Sequence, residues 1–141
     1  MPVTASHADE AGLQAAGALW NNYGYHLKII ADYSAARNAY ERALKAQPEH
    51  TTGINNLAGV YYALRDLEGA RTMYERALKI DEANFGPDHP KVAIRVNNLG
   101  NVMKDLGDMP AARTAFERAL KIDEANFGPP TIPRLPYVST T

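Results

Sequence analysis

Six asparagines stand in three adjacent pairs, Asn21-Asn22, Asn55-Asn56 and Asn97-Asn98, with Asn101 close behind the last. Each side-chain amide offers two donors and two acceptor lone pairs. A column of them matches the alternating N–H and C=O groups of an extended peptide backbone, so one chemistry they suit is clamping a bound strand. The other is bridging between neighbouring helices. Asn is a mediocre helix former, so local propensity gives no reason to place six of them inside helical stretches.

The remaining chemistry-bearing residues are scattered. His7, His26, His50 and His89 are far apart, and none forms an H-x-x-x-H or His/carboxylate pattern, so no metal site is expected. The chain has no cysteine, which excludes disulfides and thiolate metal sites. Ser6, Ser34 and Ser139 sit in no nucleophile elbow, and no Gly-rich loop ends in Lys-Ser/Thr. No catalytic residue, no cofactor and no enzymatic activity are therefore expected. Fifteen basic residues face sixteen acidic ones, for a net charge of −1. That balance gives no basic surface for nucleic acid and no polybasic membrane signal. The polar, acidic start from Met1 to Glu10 does not read as a secretory signal. No apolar run reaches the roughly 18 residues a membrane span needs, so the expected compartment is the cytoplasm.

The elements that must position the Asn pairs repeat along the chain. Glu75 to Pro87 and Glu117 to Pro129 are the same thirteen letters, 42 positions apart, and Glu41 to His50 is a looser copy 34 positions before the first. Trp20 to Gly24, Ile54 to Ala58 and Val96 to Gly100 repeat at the same two spacings. Each unit reads as two helices. Trp20, Tyr23, Gly24, Leu27 and Ile30 recur at the i, i+3, i+4, i+7 spacing of an amphipathic helix, as do Ile54, Leu57, Ala58, Tyr61, Leu64 and Val96, Leu99, Gly100, Met103, Leu106. The second helices carry Ala36, Tyr40, Ala43, Leu44, then Ala70, Tyr74, Ala77, Leu78, then Ala112, Phe116, Ala119, Leu120. Small residues let the helix axes approach, and the aromatic fills the wedge. Asp32, Asp66 and Asp108 are placed to cap the second helices. Pro110 falls in a first turn, where its missing N–H costs little. Arg37-Glu41-Lys45 and its two copies form charged i, i+4 ladders on an outer face, suited to solubility.

The order Trp20, Tyr23, Gly24, Leu27, Ala36, Tyr40, Ala43, Pro48 resembles the tetratricopeptide signature over about residues 17–128. The 42-residue spacing, with Phe85 to Ala93, is similar to the subclass found in kinesin light chains and many bacterial signalling proteins. The resemblance implies an all-α superhelix of three hairpins. The expected organisation is a helical extension over 1–16, units at 17–50, 51–84 and 91–128, an exit loop at 85–90, and a proline-rich extended tail at 129–141. It also implies a scaffold that binds a protein or peptide, not a catalyst.

In such arrays the first helices line a concave groove. At about 100° per residue, the face opposite Trp20 carries Asn21, Asn22 and Tyr25, then Asn55 and Asn56, then Asn97, Asn98, Asn101 and Asp105, with Lys28, Tyr62 and Lys104 at its edge. The second Asn of each pair is expected to face the groove more squarely. Relatives that grip chaperone carboxylates resemble one another in five groove residues; of the matching positions Asn21, Tyr25, Asn56, Ile94 and Asn98, only Asn56 agrees. No polar capping helix is expected after the third unit, which predicts an exposed apolar stripe of Ala115, Ala119, Ile122 and Phe127. A second copy of the chain, or the tail's Ile132, Leu135, Tyr137 and Val138, would cover it. The alternative expectation is therefore self-assembly through this end, or a fragment of a longer array.

Overall fold

The computed structural model describes residues 2–129 and 131, with side chains from residue 9. It contains six helices: α1 (Pro2–Ile29), α2 (Tyr33–Ala46), α3 (Thr51–Ala63), α4 (Leu67–Phe85), α5 (Pro90–Asp105) and α6 (Met109–Phe127). They pair as antiparallel hairpins, α1 with α2, α3 with α4 and α5 with α6, and each hairpin packs on the next. No strand occurs among the described residues.

The hairpin turns are set by three equivalent residues. Ala31, Arg65 and Gly107 adopt positive φ of 61°, 64° and 88° just past the first helices. This left-handed step lets the next N–H groups bond back into the helix, as Asp66 does to Tyr61 O at 2.8 Å. Glycine takes that conformation freely; Ala31 and Arg65 carry a cost of about 1 kcal/mol each. The next residue in each turn is the capping aspartate. Asp32, Asp66 and Asp108 accept from the N–H of Ala35, Gly69 and Ala111 at 3.3, 3.0 and 3.1 Å. The first helices of units two and three are capped by histidines. His50 Nδ1 accepts from Gly53 N–H and His89 Nδ1 from Lys91 N–H, a role the sequence did not suggest.

Inside each hairpin the second-helix aromatic lies across a small residue. A Cβ at Gly24 would come within 2.9 Å of the Tyr40 ring, and one at Gly100 within 2.7 Å of Phe116. The core is built from three clusters. Tyr40, Ala36 and Ala39 pack with Leu27, Leu57 and Val60. Ala70 and Tyr74 pack with Ala58, Leu99 and Val102. Ala119 and Ile122 pack with Val92, Ala93 and Val96. A buried ion pair, Arg95 Nε to Asp81 Oδ2 at 2.9 Å, ties α4 to α5.

Two expectations need correction. Ala119 and Ile122 are not exposed: they are 5% and 3% accessible. The helix α5 starts at Pro90, so Val92 and Ala93 extend along α6 and cover them. Ala115 is half-buried and only Phe127 of the expected stripe is bare. Conversely, Tyr23 and Ile30 are exposed, because no other helix packs on that side of α1 among the described residues. Ile132, Leu135, Tyr137 and Val138 lie outside the described residues.

Candidate functional site

The Asn pairs lie on α1, α3 and α5, and the three units place them differently. Between α1 and α3 is an open cleft of about 330 Å3, lined by Ala18, Asn21, Asn22, Tyr25, Gln47, His50, Thr52 and Asn56. Asn22 and Tyr25 are exposed, while Asn21 and Asn56 are half-buried. Asn21 Nδ2 stands 3.5 Å from His50 Nδ1. Its Oδ1 is shielded from solvent and has no hydrogen-bond partner. A buried acceptor without a donor is costly, but this oxygen lies against Gly53 and away from solvent, so the exposed Asn22 is the amide open to a ligand. Gly53 makes the arrangement fit, since Asn21 Oδ1 would lie 3.2 Å from a Cβ there. His50 and Gln47 sit in the turn before α3, where sequence periodicity gave no sign of them.

Between α3 and α5 the same residue types close on each other. Asn98 Nδ2 donates to Asn55 Oδ1 at 3.4 Å, bridging the helices. Asn97 is exposed and Asn101 half-buried. At the far end of α3, Tyr62 OH and Arg65 Nη1 both donate to Asp105 Oδ2, the arginine at 3.0 Å. The Tyr62 bond, then the Arg65 bond, hold the Asp105 carboxyl below its usual range. The same bond to Asp105 pushes the Tyr62 phenol up. Arg65 was not foreseen; it sits beyond the helix in a left-handed turn that no spacing rule points at. Lys28 is exposed near the α1 turn. Lys104 lines a separate apolar groove with Met109, Phe116 and Leu120.

The face thus has an open amide-lined cleft at α1/α3 and, at α3/α5, two groups that pair within the protein, Asn98 with Asn55 and Asp105 with Tyr62 and Arg65. Tyr61 OH donates to Glu41 at 2.9 Å and ties α3 to α2. Burial, with that bond adding, pushes the Tyr61 phenol up to about 12. Among the described residues no group of three or more His, Asp or Glu could hold a metal. No described helix is long and apolar enough to cross a membrane.

The sequence pattern of the tetratricopeptide repeat matches residues 51–125, and a second pattern of the same description matches residues 17–50. A search of curated proteins found no match. Among solved structures, the N-terminal domain of stress-induced protein-1 (STI-1) from C. elegans superposes with a TM-score of 0.71 at 21% identity, over 84% of this chain and 89% of that one. BtubC (BKLC) from P. vanneervenii gives a TM-score of 0.72 at 27% identity, over 89% of this chain and 53% of that one. MamA gives 0.68 at 20% identity, over 78% and 60%. The chain therefore spans little more than half the length of the last two. The repeat sets it among protein-interaction scaffolds of all-α helical-repeat architecture. The chain belongs to the tetratricopeptide repeat family.

Proposed function

We propose that the chain binds an extended peptide segment of a partner protein, seated in the cleft between α1 and α3 and running along the Asn-bearing face. The observation that carries this reading is an open cleft in which the exposed Asn22 and the half-buried Asn56 make no side-chain hydrogen bond among the described residues. Asn22 and Asn56 would hold successive backbone groups of the peptide. Tyr25 offers a flat apolar wall with a polar tip. The cleft lining carries no Lys, Arg, Asp or Glu, and Asp105 is already paired with Arg65. A neutral segment read through its backbone fits this better than a strongly acidic one. The 42-residue spacing supports placing the chain in the subclass found in kinesin light chains.

The test is selection of binding peptides from a displayed library of random sequences, with calorimetric titration of a selected peptide afterwards. The double change Asn22→Ala, Asn56→Ala should weaken binding at least about tenfold, or 1.4 kcal/mol, with helicity unchanged. Asn84→Ala, exposed on the second helix α4 and away from the Asn-bearing face, should leave affinity alone. Equal affinity in the double variant would remove the cleft from the reading.

A further inference from the structure

Two bare faces of this molecule are the two halves of a junction it already makes twice. The first half is the groove of about 380 Å3 on α6, with Met109, Ala112, Phe116 and Leu120 as its apolar lining. Moved back 42 positions, that lining is Leu67, Ala70, Tyr74 and Leu78. Those residues pack in one cluster with Leu99 and Val102 of the next helix, α5, and with Leu106 at its C-cap. The α2/α3 junction repeats the pattern, Tyr40 packing with Leu57 and Val60. On α6 nothing described fills the equivalent place: Met109 is 56% and Leu120 48% exposed.

The second half is on α1. The residues in register with Leu99, Val102 and Leu106 are Tyr23, His26 and Ile30. All three are exposed, Tyr23 at 54% and Ile30 at 71%. Their counterparts in α3 and α5 are buried or half-buried against the preceding second helix. A helix that carries a face of this kind without a neighbour leaves apolar area in water, and such patches mark interaction surfaces.

We infer that copies of this chain associate head to tail, the α6 groove of one copy receiving the Tyr23-His26-Ile30 face of α1 of the next, in the register of the α4/α5 junction. The occupant is a second copy because the chain carries both complementary halves, in the same repeat register, on opposite ends. The contact is heterologous, so it leaves one half free at each end of a dimer and propagates. Two mismatches set its strength. His26 stands where the internal junctions bury Val60 and Val102. The second is an ion pair: at the α4/α5 junction Asp81 is matched by Arg95. Their counterparts at the new junction are Asp123 and Leu19, and Leu19 is 70% exposed. A carboxylate brought against leucine loses water without gaining a partner, which keeps the association weak and reversible.

The second mismatch makes the test sharp. The mass of the 141-residue chain is tracked by sedimentation velocity across a concentration series. The expected result is a mass that rises with concentration, and Leu120→Glu and Tyr23→Glu variants that each remain monomeric. An equal mixture of those two variants should form dimers, since one brings an intact α1 face and the other an intact α6 groove. Recovery in the mixture also shows that both variants fold. Leu19→Arg should tighten association at least about tenfold by giving Asp123 its arginine, whereas a register-free apolar patch would be weakened by the same change. A Tyr23→Glu variant that still self-associates would mean α6 pairs with α6 and overturns the inference. So would weakening by Leu19→Arg, or a wild-type chain and Leu19→Arg variant that are both monomeric throughout.

Discussion

The stretches from Glu75 to Pro87 and from Glu117 to Pro129 are identical, and the helices α4 and α6 that hold most of them are built alike. Each is 19 residues long and capped by an aspartate at 3.0 or 3.1 Å. Each ends at a glycine with φ of 86°, whose N–H returns to Glu82 O or Glu124 O. Their surroundings differ. Asp81 is 1% accessible and ion-paired, while Asp123 is exposed. Leu78 is half-buried under the next hairpin, while Leu120 is exposed. The same letters therefore fix the helix, its ends and its length, and leave burial to whichever element comes next. Isoleucine runs the other way. Ile122 is buried and Ile80 only half-buried, because Val92 of α5 has as its counterpart His50, which precedes α3.

The largest expected effect tests that contrast at the aspartates. Arg95→Ala leaves Asp81 charged, buried and alone, which costs about 3–5 kcal/mol. Asp123→Ala removes the same letter from the same helix position in solvent and should stay within about 0.5 kcal/mol. Urea denaturation monitored by circular dichroism reads both. The internal pair has contact at 2.9 Å but no well-aligned hydrogen bond. Replacing both partners, Asp81→Leu with Arg95→Met, should consequently recover most of the loss. If Asp123→Ala destabilises as much as Arg95→Ala, the two helices are not distinguished by their neighbours.

A middle-sized effect tests the wedge under each aromatic. In unit two Ala58 lies beside Tyr74, whereas in unit three Gly100 lies under Phe116, with room for no Cβ. Gly100→Ala should overpack that contact and cost about 1–3 kcal/mol, despite the better helix propensity of alanine. A thermal melt showing Gly100→Ala to be stabilising would mean that α6 rides loosely on α5.

The fold was legible because its signals are local and repeated. Registered apolar positions gave the hairpins, Asp32, Asp66 and Asp108 announced the second helices, and Gly24 and Gly100 marked close approach. The site was less legible, because it depends on which side chains meet across helices. Helical direction put Asn21, Asn22, Asn55 and Asn56 on one broad face, and the cleft uses three of them. It could not show that Asn98 spends its amide on Asn55, that Arg65 neutralises Asp105, or that Asp81 has a buried partner 14 residues on in Arg95. Ala119 and Ile122 were misread for a related reason. Their expected exposure rested on the proline-rich sequence beyond α6, whereas Val92 and Ala93 of the preceding helix cover them.

The smallest effect sharpens the comparison from its other side. If local chemistry is equal in α4 and α6, then losing it should cost the same in both, whatever their burial. Asp66 and Asp108 are both exposed, and both accept from the third backbone N–H beyond them. Asp66→Ala and Asp108→Ala should each cost about 1 kcal/mol, differing by no more than a few tenths. Equality is the informative outcome, because the donor is Gly69 for Asp66 and Ala111 for Asp108, and only the carboxylate contact is common to the two. Urea midpoints measured on the two single variants decide it. A markedly larger loss at Asp66 would mean that its cap also positions α4 against α5, and that the local and tertiary contributions in this repeat cannot be separated helix by helix.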